Sequence, residues 1–108
     1  MTIETTAWFE KQLKRLAKKY RSIPADYRNL LESLDLDPMQ GTPLKRGAFK
    51  IRMPITSKGT GKSGGSRVIT CVRTQLDTIY LLDVYDKSER ATISDKELEA
   101  FIDQIDEL

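Results

Sequence analysis

The strongest constraint on the fold is the stretch 47–73, which reads GAFKIRMPITSKGTGKSGGSRVITCVR. Its first part alternates in polarity: Lys50 and Arg52 point one way, and the apolar residues around them point the other, namely Phe49, Ile51, Met53 and Ile55. A period of two predicts a strand over 48–55 with one buried face. A glycine-rich loop over 57–66 and a second strand over 67–74 follow.

This stretch is also strongly basic. Residues 44–67 hold seven Lys or Arg and no Asp or Glu. Residues 11–73 carry fifteen basic side chains against four acidic ones, whereas 74–108 carry three against ten. This unequal distribution of charge along the chain predicts a basic surface suited to a polyanion and a separate acidic surface. A solvated surface with local salt bridges is the simpler alternative.

Composition narrows the class of protein. A chain of 108 residues fits one domain over 1–108. It has no run near the ~18 apolar residues of a membrane helix and no signal-peptide pattern, so we expect a cytoplasmic protein. Without histidine, it lacks a His general base and a His metal ligand, and we expect no metal and no cofactor. The single Cys71 is expected to be a buried thiol.

Two helices are predicted before the strands. The first covers 6–21, with Thr5 or Thr6 as N-cap and an apolar stripe opposite a basic face. That face can bind phosphates or can simply be solvated. Pro24 begins a second helix, the two forming a hairpin, and Leu36 is expected to enter the core after it ends.

The remaining elements complete an α+β fold. Pro43 suits a short edge strand, and strand 78–85 is apolar enough to be covered on both faces. Ser94 and Glu97 form a capping box for a last helix with acidic faces. We therefore expect an N-terminal helix hairpin packed on a small twisted antiparallel sheet of three to four strands, with a C-terminal helix, and with all the helices on one face of the sheet. The sheet face that carries Lys50 and Arg52 is expected to be open.

The fragment 59–63, GTGKS, is similar to a phosphate-binding P-loop, but the motif is incomplete. A P-loop needs a Gly where this chain has Thr56, and it needs a helix after the loop. The sequence that follows, GGSRVIT, predicts a strand, so nucleotide hydrolysis is not expected. A glycine-rich basic loop can instead lie against a nucleic-acid backbone.

Lys50, Arg52 and Arg67 are predicted to converge on one exposed sheet face, with Lys87 after the last strand. Such a cluster can bind phosphates by charge. It can also promote RNA cleavage without histidine, because guanidinium groups stabilise the charge that develops when a ribose 2′-OH attacks its phosphate. Composition alone leaves both uses open.

Three segments resemble the RelE/ParE superfamily of bacterial toxins, and most closely its HigB-like branch. They are RGAFKIRMPI, GKSGGSRVIT and LLDVYDKSERATIS, the last followed by an amphipathic helix. The resemblance implies a helix hairpin against a curved sheet. It also implies ribosome-dependent cleavage of mRNA, ribosome and mRNA as binding partners, and a cognate antitoxin, with no membrane and no small-molecule cofactor.

By position, the resemblance assigns catalytic roles to Lys50, Arg52, Arg67 and Lys87. The residues predicted to bind RNA are Lys45, Arg46, Lys58, Lys62, Arg73 and Tyr85. Two departures from the family leave the general acid and base open between Lys50 and Lys87. Ser88 stands where strong family members have arginine, and no Tyr or His occurs at 92–94.

Together with the cationic cluster, this resemblance implies a metal-independent mRNA endoribonuclease, the toxin of a toxin–antitoxin pair. Two alternatives remain. One is a ParE-like poison of DNA gyrase that acts by protein binding and needs no catalytic cations. The other is a nucleic-acid-binding module without catalysis.

Overall fold

The computed structural model describes residues 1–59 and 64–107. The elements, in chain order, are β1 (Thr2–Thr5), α1 (Ala7–Lys19), α2 (Ile23–Leu36), β2 (Thr42–Pro43), β3 (Ala48–Met53), β4 (Ser66–Arg73), β5 (Thr78–Asp86) and α3 (Asp95–Asp106). This order confirms the predicted α+β class, with a helix hairpin before most of the sheet and a helix after it. Because β4 begins at Ser66, a strand and not a helix follows the glycine-rich loop, as the P-loop argument required.

Both predicted helix caps are present. The Thr6 side chain accepts a hydrogen bond from the backbone N–H of Phe9 at 3.1 Å. Thr6 is therefore the N-cap, and α1 begins at the next residue, Ala7. The Ser94 hydroxyl accepts from the N–H of Glu97 at 3.1 Å, and the Glu97 carboxylate accepts in return from Ser94. Each cap satisfies backbone donors that the first helical turn leaves unpaired.

In residues 1–59 and 64–107 the sheet has five strands, in the order β1-β5-β4-β3-β2, and not the predicted three or four. All neighbours are antiparallel except β1, which runs parallel to β5 with Thr2 opposite Thr78. Strand β1 was not predicted, because Thr2–Thr5 has no apolar run. Its strand conformation comes from pairing with a segment more than seventy residues away along the chain.

Helices cover both faces of the sheet, so the prediction that they pack on one face is wrong. Phe9 and Leu16 of α1 and Leu34 of α2 are buried with Ile51 and Val68 on the first face. The second face buries an α3 stripe against β4 and β5, and this cluster includes Leu98, Ile102, Ile105, Ile69, Cys71 and Leu82. Strands β4 and β5 are apolar on both sides, and α3 therefore finds a second apolar surface to bury its stripe.

Two smaller predictions have opposite outcomes. Cys71 is fully buried, and burial raises the pKa of its thiol, as expected for an inert cysteine. Leu36 does not enter the core: it is the last residue of α2 and is 89% exposed.

Within residues 1–59 and 64–107, no helix combines the length and the apolar character that crossing a bilayer requires.

Candidate functional site

Strand register brings three of the predicted catalytic cations together. In the β3–β4 pair, Arg52 is directly opposite Arg67, and Lys50 is opposite Ile69. Directly opposite residues project to the same side of a sheet, and so do alternate residues of one strand. Lys50, Arg52 and Arg67 therefore share the face on which α3 packs, and we call these three residues the cationic face. It is partly covered by α3, not fully open.

Arg67 is the most enclosed member of the cationic face, with 6% of its surface exposed. Its Nη1 donates to the carbonyl oxygens of Gly64 at 3.2 Å and Ser66 at 3.1 Å. Burial lowers the pKa of Arg67, and the positive charge of Arg52 lowers it further. Both effects mean that the charged guanidinium is held at a cost, which a bound anion would offset.

The other cations of this region have different surroundings. Arg52 is exposed and Lys50 is half-buried. Lys87 is exposed, and its N–H donates to the Gly65 carbonyl at 3.0 Å, which places it at the same end of the sheet as Arg52 and Arg67. In the part of the chain that the structure describes, Lys50, Arg52 and Lys87 form no ion pair with a carboxylate.

Arg52 also borders a cleft of about 210 Å³ between α2 and the end of β3. Polar side chains from α2 and from the segments before and after β3 line this cleft, among them Asp26, Gln40 and Thr56. Asp26 accepts hydrogen bonds from the hydroxyl groups of Ser22 and Thr56. These bonds fix the segment that leads from β3 into the glycine-rich loop against the start of α2.

Tyr85 lies next to Arg67 in the register but is 3% exposed. Arg90 covers its ring, with the guanidinium carbon 4.8 Å from the ring centroid. Two carboxylates hold Arg90 there: Asp83 at 3.3 Å and Glu97 at 2.9 Å. A base could stack on Tyr85 only if Arg90 moved. The sequence analysis did not single out Arg90, because its partners are seven residues away in each direction and no local pattern joins them.

Lys58, predicted to bind RNA, belongs to a polar cluster around one buried carboxylate on the α1 side of the sheet. Asp86, with no exposed surface, accepts hydrogen bonds from Tyr20 at 2.7 Å and from Lys58 at 3.1 Å. The Ser88 hydroxyl donates to the same carboxylate at 2.8 Å. We call Tyr20, Lys58, Asp86 and Ser88 the Asp86 cluster. Burial by itself raises the pKa of Asp86, but the hydrogen bonds from its three partners outweigh burial and hold this pKa well below its usual range.

Three further residues predicted to bind RNA pair with carboxylates of α3. Lys45 lies 3.5 Å from Asp95, and Arg46 lies 2.8 Å from Asp103. The Nε and Nη2 atoms of Arg73 lie 2.9 Å from the two carboxylate oxygens of Asp106. The expectation of separate basic and acidic surfaces is therefore wrong here. Helix α3 packs beside β4 and the turn at Lys45–Gly47, and its carboxylates neutralise the positive charges of these three residues. Lys62 lies outside the described residues.

Within the described ranges, no group of three or more His, Cys, Asp or Glu side chains could hold a metal ion. The candidate site is the cationic face, with Lys87 beside it.

These observations define the class of protein: it is a small α+β domain with a helix hairpin, a mixed β-sheet and paired arginines on adjacent strands. Residues 3–105 match the sequence model of the RelE toxin of the RelE/RelB toxin–antitoxin system. The chain belongs to this RelE toxin family. It is the toxin of a toxin–antitoxin system, and an antitoxin is its partner. Toxins of the family are generally endoribonucleases.

A solved structure supports the fold. The chain is similar to a metal-bound toxin from Helicobacter pylori, with a TM-score of 0.51 and 19% sequence identity. The similarity covers 83% of this chain and 98% of that one. At this identity the likeness bears on the fold alone.

Proposed function

We propose that this toxin is a HigB-like, ribosome-dependent mRNA endoribonuclease, acting in the cytoplasm as one domain over 1–108. The observation that carries the proposal is the pair Arg52 and Arg67, which lie opposite each other with Lys50 on the same face. Two guanidinium groups and an ammonium group in one place form a binding site for a phosphate with developing charge. The message held on a ribosome supplies that phosphate.

The reaction is a transesterification within the RNA strand. The ribose 2′-oxygen bonds to the adjacent phosphorus, and the bond from phosphorus to the 5′-oxygen of the next nucleotide breaks. The products are a 2′,3′-cyclic phosphate and a free 5′-hydroxyl. One proton leaves the 2′-OH, and one is delivered to the 5′-oxygen. None of the bonds that form or break in this reaction requires a metal ion.

The cations have distinct roles in this proposal. Arg67 is the best placed to stabilise the phosphorane, because burial strengthens its interaction with a charge that forms nearby. Arg52, which is exposed, binds the second non-bridging oxygen. Lys50 and Lys87 are the candidates for the proton transfers. The residues paired with carboxylates, Lys45, Arg46, Lys58 and Arg73, are at most secondary contacts with RNA.

Primer extension on a message translated in a reconstituted system tests the proposal. The wild-type toxin is expected to produce discrete cuts, including after the toxin has been treated with a chelator before its addition. Arg52→Gln/Arg67→Gln is expected to cut at least about 100-fold more slowly. A matched control, Arg28→Gln/Lys96→Gln, removes the same charge from exposed positions outside the site and should cut normally.

Three outcomes would contradict the proposal. An intact message with arrested growth would exclude cleavage. Toxicity that survives substitution of Lys50, Arg52 and Arg67 together would favour a gyrase poison. Ribosome binding without cuts would favour a binding module. Because Arg67 is buried, the folded state of each variant is checked by thermal unfolding, and Arg52→Gln alone provides a variant altered only at an exposed position.

A further inference from the structure

A second basic surface lies on α1, away from the cationic face. Five of its thirteen residues are exposed cations, Lys11, Lys14, Arg15, Lys18 and Lys19. With 3.6 residues per turn, these positions occupy a single stripe along the helix. We call these five residues the α1 stripe.

Local structure does not account for the whole stripe. Lys18 and Lys19 lie in the last turn, where a positive charge is favourable near the carbonyl end of a helix. Lys11 and Lys14 lie outside that turn, and in the described part of the chain neither forms an ion pair. Like charges three and four residues apart repel each other on a helix. The stripe thus carries a repulsion that a polyanion would relieve.

The stripe is joined to the candidate site by one contact region. Glu89 lies 2.9 Å from Lys19 and 3.4 Å from Arg15. Glu89 follows Lys87 by two residues, in the turn after β5. The turn that carries Lys87 therefore contacts the α1 stripe through Glu89.

We propose that the α1 stripe binds the phosphate backbone of ribosomal RNA while the message occupies the candidate site. This inference rests on the proposed function and adds a second contact surface to it. Lys11 and Lys18 are seven residues apart, or about 10 Å along the helix, a distance that spans several successive phosphates of one nucleic-acid strand. Repeated cations at this density suit a regular row of phosphates. An acidic segment of a partner protein is the competing occupant.

The test uses the full chain and ribosomes that carry no message, so that binding is measured without cleavage. Each lysine–phosphate contact with a duplex contributes about −0.9 to the slope of log affinity against log salt concentration. We expect Lys11→Gln/Lys14→Gln to make that slope less negative by about 1.8. When the salt concentration rises from 50 to 200 mM, the factor by which affinity falls should therefore be about ten times smaller for the variant than for the wild type. The control, Arg28→Gln/Lys96→Gln, should keep the wild-type slope.

A 16-base-pair RNA duplex is the second probe. A less negative slope with both ribosomes and duplex supports the proposal. An unchanged slope with ribosomes overturns it, whether or not the duplex responds, and leaves an acidic protein segment as the occupant. Failure of the proposed function is a separate result, since a wild-type toxin that leaves a translated message uncut can still show the expected salt slope. Because the changes relieve repulsion, the variant should unfold at a temperature no lower than the wild type.

Discussion

Arg52 and Arg67 are direct neighbours on adjacent antiparallel strands although both carry a positive charge. Like charges opposite each other destabilise a sheet, by roughly 0.2–1 kcal/mol for pairs of this kind. Arg67 is also almost fully buried, which adds a cost of desolvation. The pair of like charges therefore carries an electrostatic cost in the unbound protein, which a phosphate bound between the two guanidinium groups would offset.

Replacing Arg52 should therefore separate stability from function. Arg52→Gln is expected to raise the free energy of unfolding by about 0.5 kcal/mol, because the repulsion with Arg67 disappears. The same change should slow message cleavage by about 100-fold. Urea unfolding and primer extension measure the two effects, with Arg28→Gln as the control. A less stable variant that still cuts at the wild-type rate would show that the pair serves the fold.

The Asp86 cluster leads to a prediction with a defined pH dependence. Asp86→Asn removes a buried carboxylate that accepts hydrogen bonds from Tyr20, Lys58 and Ser88. We expect the urea midpoint at neutral pH to fall by about 1 M, because these donors lose a charged acceptor. The exposed substitution Asp35→Asn should leave it nearly unchanged.

The sign of the pH effect follows from the depressed pKa of Asp86 in the folded protein. Its contribution is fully present above the unfolded carboxyl value of about 3.9 and is lost as the pH falls through the folded value. The gap between wild type and Asp86→Asn should therefore be smaller at pH 3 than at pH 7. A gap that widens on acidification would mean that the carboxyl is protonated in the native state.

The sequence predicted the local features of the site and missed those that depend on distant contacts. Alternation in β3 correctly placed Lys50 and Arg52 on one side, and a local pattern identified the Ser94 cap. The role of Arg46 could not be read in the same way, because its carboxylate partner Asp103 is 57 residues further along the chain. Likewise, Arg90 acquires its position only when α3 and β5 meet. Charge counted along the chain was misleading for the same reason.

The pairing of Arg73 with Asp106 gives a prediction about the end of α3. Asp106→Asn should increase amide hydrogen exchange in the last turn of α3, because Arg73 and Arg46 both lose a charged partner there. The difference from the wild type should shrink at high salt, since these groups are partly exposed and screened. The freed arginines should also strengthen salt-dependent RNA binding.

Glu107→Gln removes one charge from the neighbouring residue, which is exposed, and is the matched control for that experiment. Equal exchange rates in the two variants would mean that net charge, and not the bidentate pair with Arg73, holds the end of the helix.

Gly41 supports the strand that carries Lys50, and its replacement should be costly. Its φ is +97°, and a Cβ atom there would lie 2.5 Å from the Lys50 carbonyl oxygen and 2.9 Å from the Ile51 side chain. Gly41→Ala is therefore expected to lower the free energy of unfolding by about 2–4 kcal/mol. Gly59→Ala also places alanine at positive φ, but a Cβ there meets nothing within 4 Å, so a loss of about 1 kcal/mol is expected. Urea unfolding compares the two. Equal losses of stability would show that backbone conformation alone matters. A larger loss for Gly41→Ala, with slower message cleavage by the molecules that remain folded, would show that close packing against β3 holds Lys50 in place.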